Sequence, residues 1–243
     1  MGRESGRSRL MTLSIFIVGH ILLYAGSKMA VIFLPFVLIP ALLLGVFLTL
    51  LAFTPNEKTR RIVILGSIAS GKTTLWNQLR GLGYGREHVQ TASTIIDSFK
   101  MKGKDHEVTI KATKDIGGGD QWVKEYDKLI LEDTFIYYLI DLTQLEEKKC
   151  KDTRARLQKI SKVISEKELK NCGLKILATH YDQYSRQHRC SKDEVKELIK
   201  QLIGFDTIKG HEKIEFGKAI LAVNLLDSRD IEIIKEEICS IKR

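Results

Sequence analysis

The sequence predicts an α/β domain with a mainly parallel sheet covered on both faces by helices, behind an apolar N-terminal segment that reads as transmembrane helices. Three observations carry this. Short apolar runs at Ile62–Leu65, Phe135–Ile140 and Leu174–Ala178 alternate with helical patterns, as buried parallel strands joined by crossover helices do. A glycine-containing turn sits between the first run and the first helix. Composition also changes sharply: from Leu10 to Asn56 the only formal charge is Lys28, and Pro35, Pro40 and Pro55, the only prolines, all lie before residue 57. The chain therefore divides into a basic tail (1–9), a membrane anchor (10–53), a linker (54–61) and an α/β domain (62–243).

The apolar stretch Leu10–Phe53 is too long for one crossing, since as a single helix it would run about 66 Å against a hydrocarbon core of about 30 Å. Gly26-Ser27-Lys28 divides it into Leu10–Ala25 and Met29–Phe53. Three arrangements fit. A two-span hairpin puts Arg3, Arg7 and Arg9 on the same, cytoplasmic side as Lys58, Arg60 and Arg61, which the positive-inside tendency favours. The other two are a signal peptide ending near Ala25-Gly26-Ser27 and a single span preceded by an interfacial helix. The hairpin accounts best for the flanking charges.

Beyond the anchor, Arg60–Leu65 reads as a strand and Thr73–Leu82 as a helix ended by Gly81 and Gly83. Ile95–Met101 and Glu107–Asp115 flank the turn-rich Lys102-Gly103-Lys104-Asp105 and read as a hairpin. A strand at Phe135–Ile140 precedes an amphipathic helix around Thr153–Leu169 and a strand at Leu174–Ala178. Ser191–Ile203 is a helix whose Ser191 and Glu194 form a capping box. Phe216–Val223 and Ser228–Ile241 supply the last strand and the closing helix.

Charge and cysteine usage limit the function classes. The net charge is +9, but Lys and Glu are interleaved as on solvated helix faces, and no basic run is interleaved with aromatics. Nucleic acid is not an expected partner; a mild attraction to anionic lipid head groups is. Cys150, Cys172, Cys190 and Cys239 form no C-x-x-C pair, which points to ordinary thiols in a reducing compartment.

The strongest chemical signal is Gly66-Ser67-Ile68-Ala69-Ser70-Gly71-Lys72-Thr73, followed by Thr74. It satisfies G-x-x-x-x-G-K-[ST] between a strand and a helix, and so predicts a three-layer P-loop nucleoside-triphosphatase fold. Successive backbone N–H groups of such a loop wrap a phosphate at the positive end of the helix. Lys72 is then expected to reach the β- and γ-phosphates, and the Thr73 hydroxyl to ligate Mg²⁺. Asp115-Ile116-Gly117-Gly118 places a carboxylate where it can hold a Mg²⁺-bound water and a Gly118 amide where it can sense a γ-phosphate. Thr179-His180-Tyr181-Asp182 follows a strand. This tetrad is similar to the base-recognition motif of the small GTPases, which implies that Asp182 accepts from guanine N1 and N2, whereas adenine would leave its carboxylate unpaired.

The order of P-loop, D-x-x-G and [NT]-K-x-D resembles the small GTPases. Gly71-Lys72-Thr73-Thr74-Leu75 and Asp115-Ile116-Gly117-Gly118 resemble the ADP-ribosylation-factor-like branch, over Arg61 to Arg243. The resemblance implies GTP/GDP and Mg²⁺ as ligands, Thr94 as the switch I metal ligand, and an effector and a GTPase-activating protein as partners. A hydrophobic segment ahead of such a domain is similar in layout to the signal recognition particle receptor β subunits. Ala222-Val223-Asn224 stands where the family's fifth motif would fall.

Three departures bear on mechanism. His180 replaces the family's lysine, Ile68 adds bulk where the branch commonly has Asp, and Gly119 takes the place of the water-orienting glutamine. Gln121 is expected to substitute if the loop bends, with slow hydrolysis as the consequence. Trp122 is either a partner contact or packs on the sheet. A scaffold that binds GTP without turnover and a membrane P-loop ATPase remain the alternatives.

Overall fold

The computed structural model describes residues 39–46, 58–83, 93–104, 106–204 and 220–241. The chain forms two compact units, Met1–Asn56 and Glu57–Arg243. In the first, residues 39–46 are helical and exposed, and the rest of the expected spans lies outside the described residues. Among the described residues no helix is long and apolar enough to cross a membrane.

In the second unit β1 (Thr59–Gly66) leads into α1 (Lys72–Leu79). Then come β2 (Ser93–Ile96), β3 (Phe99–Lys102), β4 (Glu107–Ile110) and β5 (Thr113–Ile116). A 3₁₀ turn at Asp120–Glu125 and α2 (Tyr126–Leu129) precede β6 (Thr134–Asp141), and α3 (Glu147–Glu166) precedes β7 (Gly173–Thr179). The chain ends with α4 (Tyr181–His188), α5 (Lys192–Ile203), β8 (Ile220–Ala222) and α6 (Ser228–Ser240). Six strands form one sheet in the order β3-β4-β1-β6-β7-β8, parallel except for the β3–β4 pair, and β2 pairs with β5 in a separate two-stranded ladder.

The alternation of side chains along a strand builds the two layers. On β1, Ile62 and Ile64 join Leu75, Trp76 and Leu79 of α1 and Ile231, Ile234 and Ile238 of α6. Val63 and Leu65 point to the opposite face, packing in one core with Leu157, Ile160 and Ile164 of α3 and Val195 and Ile199 of α5. A three-layer sandwich results, with the carboxyl ends of β1, β6 and β7 at one edge, where open parallel sheets hold their ligands.

Several boundaries differ from the sequence reading. Each hairpin arm splits in two, because Asp97-Ser98 and Lys111-Ala112 interrupt the pairing; β3–β4 continues the main sheet while β2–β5 leaves it. α3 starts at Glu147 rather than Thr153. Its first turn is polar apart from buried Cys150, so apolar periodicity does not reveal it, and Glu147–Lys151 pairing at 2.7 Å supports that turn. α1 stops at Leu79, before Leu82. The 3₁₀ turn, α2 and α4 were not foreseen, and α4 buries no residue fully. The capping box at Ser191 and Glu194 is present. Trp122 packs against the α3 side of the core, as the packing alternative expects. Of the expected last strand, Ile220 to Val223 fall among the described residues, and the strand ends at Ala222.

Candidate functional site

The turn between β1 and α1 has a backbone suited to curl around an anion. Positive φ angles occur at Gly66 (148°), Ala69 (60°) and Gly71 (88°). Gly71 caps α1 in a left-handed conformation that favours glycine, while the nearest atom to a Cβ there, Leu225 Cδ1 at 2.7 Å, is the end of a side chain that can shift. Ser70 Oγ donates to Ser67 O at 2.9 Å and tightens the turn. Ser67 is half-buried, while Ile68 (52 % exposed) and Ala69 line the outside. Thr74 is half-buried in the first turn of α1.

Lys72 is buried, and its Nζ donates to Ser67 O at 2.7 Å, folded over the loop. Burial pushes its ammonium down to about 8, against the pull of the Asp115 carboxylate and with a smaller push from Arg156. The Thr73 hydroxyl donates to Asp115 Oδ2 at 2.7 Å. Asp115 is itself buried at the end of β5, and its other oxygen, Oδ1, has no hydrogen-bond partner. Burial raises its carboxyl above the usual range, opposed by the Thr73 hydrogen bond and by Lys72. A hydroxyl, an adjoining carboxylate and an unpartnered buried oxygen fit a hard, oxygen-loving cation such as Mg²⁺. Across the β2–β5 ladder Thr94 lies opposite Asp115, with its side chain exposed.

Gly118 lies flush against the P-loop, where a Cβ would collide with the Ser67 carbonyl group and the Ile68 amide nitrogen. After it the loop does bend: Asp120 opens a 3₁₀ turn, and the Gln121 carboxamide folds back so that its Cδ would lie 2.9 Å from a Cβ at Gly119. Gln121 remains exposed.

The third motif meets the first through Thr179. Its hydroxyl, fully buried, lies 3.0 Å from Ser70 O and 3.1 Å from Ile140 O, tying the end of β7 to the P-loop. His180 adopts a left-handed backbone (φ 59°), and its Nε2 is buried without a hydrogen-bond partner. Asp182 sits in the first turn of α4 with its side chain 30 % exposed and Arg186 at 4.0 Å.

Sequence patterns missed the groups that brace this edge. Asp230, buried, accepts from Asn224 N at 2.7 Å and from Lys192 Nζ at 2.6 Å, while Lys192 lies over the Tyr181 ring at 5.5 Å. The loop after β8 is thereby tied to the Thr179–Asp182 segment, and Asn224 serves it through Oδ1, which accepts from Leu226 N at 3.0 Å. Arg156, from the middle of α3, reaches the Gly118 loop. No spacing rule marks Asp230, Lys192 or Arg156, each of which acts through a contact 38 residues along the chain, whereas Asn224 belongs to the fifth-motif candidate.

Fold and site together define a P-loop nucleotide-binding domain. The sequence profile of the ADP-ribosylation factor family matches residues 47–233, more than half of the chain, and the chain belongs to that family. No curated protein matches the sequence. Among solved structures, the Methanosarcina barkeri Roco2 RocCORdC fragment bound to GDP is similar, with a TM-score of 0.50 and 16 % identity over 74 % of this chain. At that identity the likeness speaks for the fold alone, and the chain spans only 48 % of that structure's length.

Proposed function

We propose that the protein is a membrane-anchored, slowly hydrolysing GTP switch. The observation that carries the nucleotide reading is the convergence of Lys72, Thr73 and Asp115 beneath a loop with positive φ angles at Gly66, Ala69 and Gly71. In this reading the backbone amides of Ser67 to Thr74 wrap the phosphates and Lys72 swings from Ser67 O to the β- and γ-phosphates. Thr73, Thr94 and, through water, Asp115 would hold Mg²⁺, which neutralises charge developing on the phosphates. Gly118 senses the γ-phosphate. Thr179, His180 and Asp182 face the base, with Asp182 accepting from guanine N1 and N2 and the His180 ring lying against it.

Slow turnover follows from Gly119 and Ile68. With no side chain at position 119, an attacking water must be oriented by Gln121, whose carboxamide is folded over the loop. A partner that donates a catalytic group would raise the rate. In a single-turnover assay with [γ-³²P]GTP, the purified protein is expected to hydrolyse slowly and to accelerate when membrane extract is added. No hydrolysis under either condition would favour the binding-only scaffold instead.

Membrane attachment rests on the uncharged run from Met29 to Phe53 and on the basic flanks. The arrangement, similar in layout to the signal recognition particle receptor β subunits, puts the G domain on the cytoplasmic side, where GTP and a protein effector are available. A cysteine introduced at Ser5 is expected to resist a membrane-impermeant thiol reagent in intact cells, while one at Ser27 reacts at once. Labelling at position 5 before permeabilisation would exclude the two-span hairpin.

A further inference from the structure

We infer that Arg156 is a positioning residue that holds the γ-phosphate-sensing loop in its seat on the P-loop. The inference rests on the guanine-nucleotide reading above and extends it to a residue outside every nucleotide-binding motif. Arg156 projects from α3, and its side chain is only 11 % exposed. Its Nη1 donates to Gly118 O at 2.8 Å and approaches Gly66 O at 3.5 Å. Its Nη2 donates to Asp120 Oδ1 at 2.7 Å. One planar guanidinium thus spans the first residue of the P-loop, the glycine of D-x-x-G and the acid two residues later, a geometry that a single-point ammonium cannot reproduce.

The surroundings hold the guanidinium in place. Burial raises the hydroxyl pKa of Tyr126 and Tyr138, and the nearby Arg156 charge pulls both back down. Tyr138 is itself fully buried in β6, so the polar end of the arginine is walled by rigid elements of the sheet and by α2. Asp120, by contrast, is 92 % exposed. The latch therefore has one half beside buried tyrosines of the core and the other on an exposed loop, and the loop's seat is set from the α3 side.

In this reading a γ-phosphate is sensed through the Gly118 amide, whereas a diphosphate is held by the P-loop and the base contacts without it. Releasing the latch should therefore act on triphosphate affinity and leave diphosphate affinity in place. The test is the affinity of the detergent-solubilised full chain for GDP and for the non-hydrolysable analogue GMPPNP, in the parent, Arg156→Ala, Arg156→Lys and Asp120→Ala. Arg156→Ala is expected to lower GMPPNP affinity about tenfold, the scale of one charge-assisted hydrogen bond, with GDP affinity within about twofold of the parent. Arg156→Lys should fall between the two, and Asp120→Ala, at an exposed site that the fold does not need, should shift the ratio the same way by a smaller factor. A GMPPNP-to-GDP affinity ratio that stays at the parent value in both alanine variants overturns the latch. If the parent itself binds neither nucleotide, the guanine-nucleotide reading fails first and the latch with it.

Discussion

Lys72→Ala is expected to remove measurable nucleotide binding. The ammonium is buried beneath the loop, donates to Ser67 O at 2.7 Å, and lies close enough to Asp115 for that carboxylate to raise its pKa. A phosphate entering the loop replaces the Ser67 carbonyl with a full negative charge and opposes the lowering of the Lys72 pKa by burial. Truncating one partner of such a desolvated charge pair costs about 2–5 kcal/mol, so affinity should fall about thirtyfold or more. Titration of a fluorescent GDP analogue checks this, with thermal unfolding of the variant as the control for folding. Parent-like affinity in a folded variant would remove Lys72 from the phosphate site.

The second large effect is a change of base. Asp182→Asn should weaken GTP and strengthen xanthosine triphosphate, because an amide can donate to the extra carbonyl oxygen of xanthine but cannot accept as a carboxylate does. Asp182 sits in the first turn of α4, held next to the P-loop edge by Thr179 and braced from behind by Tyr181, Lys192 and Asp230. The brace matters for the prediction: the side chain changes while the backbone that aims it does not. Discrimination between the two bases is expected to shift by about a hundredfold, less than the roughly 10⁴-fold of a fully buried hydrogen-bonding site because the Asp182 side chain is 30 % exposed. An unchanged preference would take Asp182 out of the site.

Much of this fold was legible because its strands are buried on both faces. Ile62–Leu65, Phe135–Ile140 and Leu174–Ala178 read as continuous apolar runs, and each is a central strand with neighbours on either side. Edges were harder. The β2–β5 ladder carries the exposed Thr94 and Ile95, so no apolar run distinguished it from the main sheet. α4 escaped for a related reason: Tyr181 and Tyr184 cover the core only partly, and without an aliphatic stripe the segment looks like a polar loop. Within the site, Lys72, Thr73 and Asp115 were visible as motif spacing, and their side chains meet at hydrogen-bond distance or through charge. Arg156 and Asp230 were not visible, because a bracing residue is defined by what the fold brings to it.

The most direct test of the account is competition. Bound fluorescent GDP on the purified full-length protein, in the presence of Mg²⁺, is displaced by GTP, GDP or ATP. Asp182 and the Thr179–P-loop tie predict that GTP and GDP compete at concentrations about a hundredfold or more below ATP. Equal displacement by ATP would contradict the assignment of a guanine-nucleotide switch and leave a P-loop site without selectivity for the base.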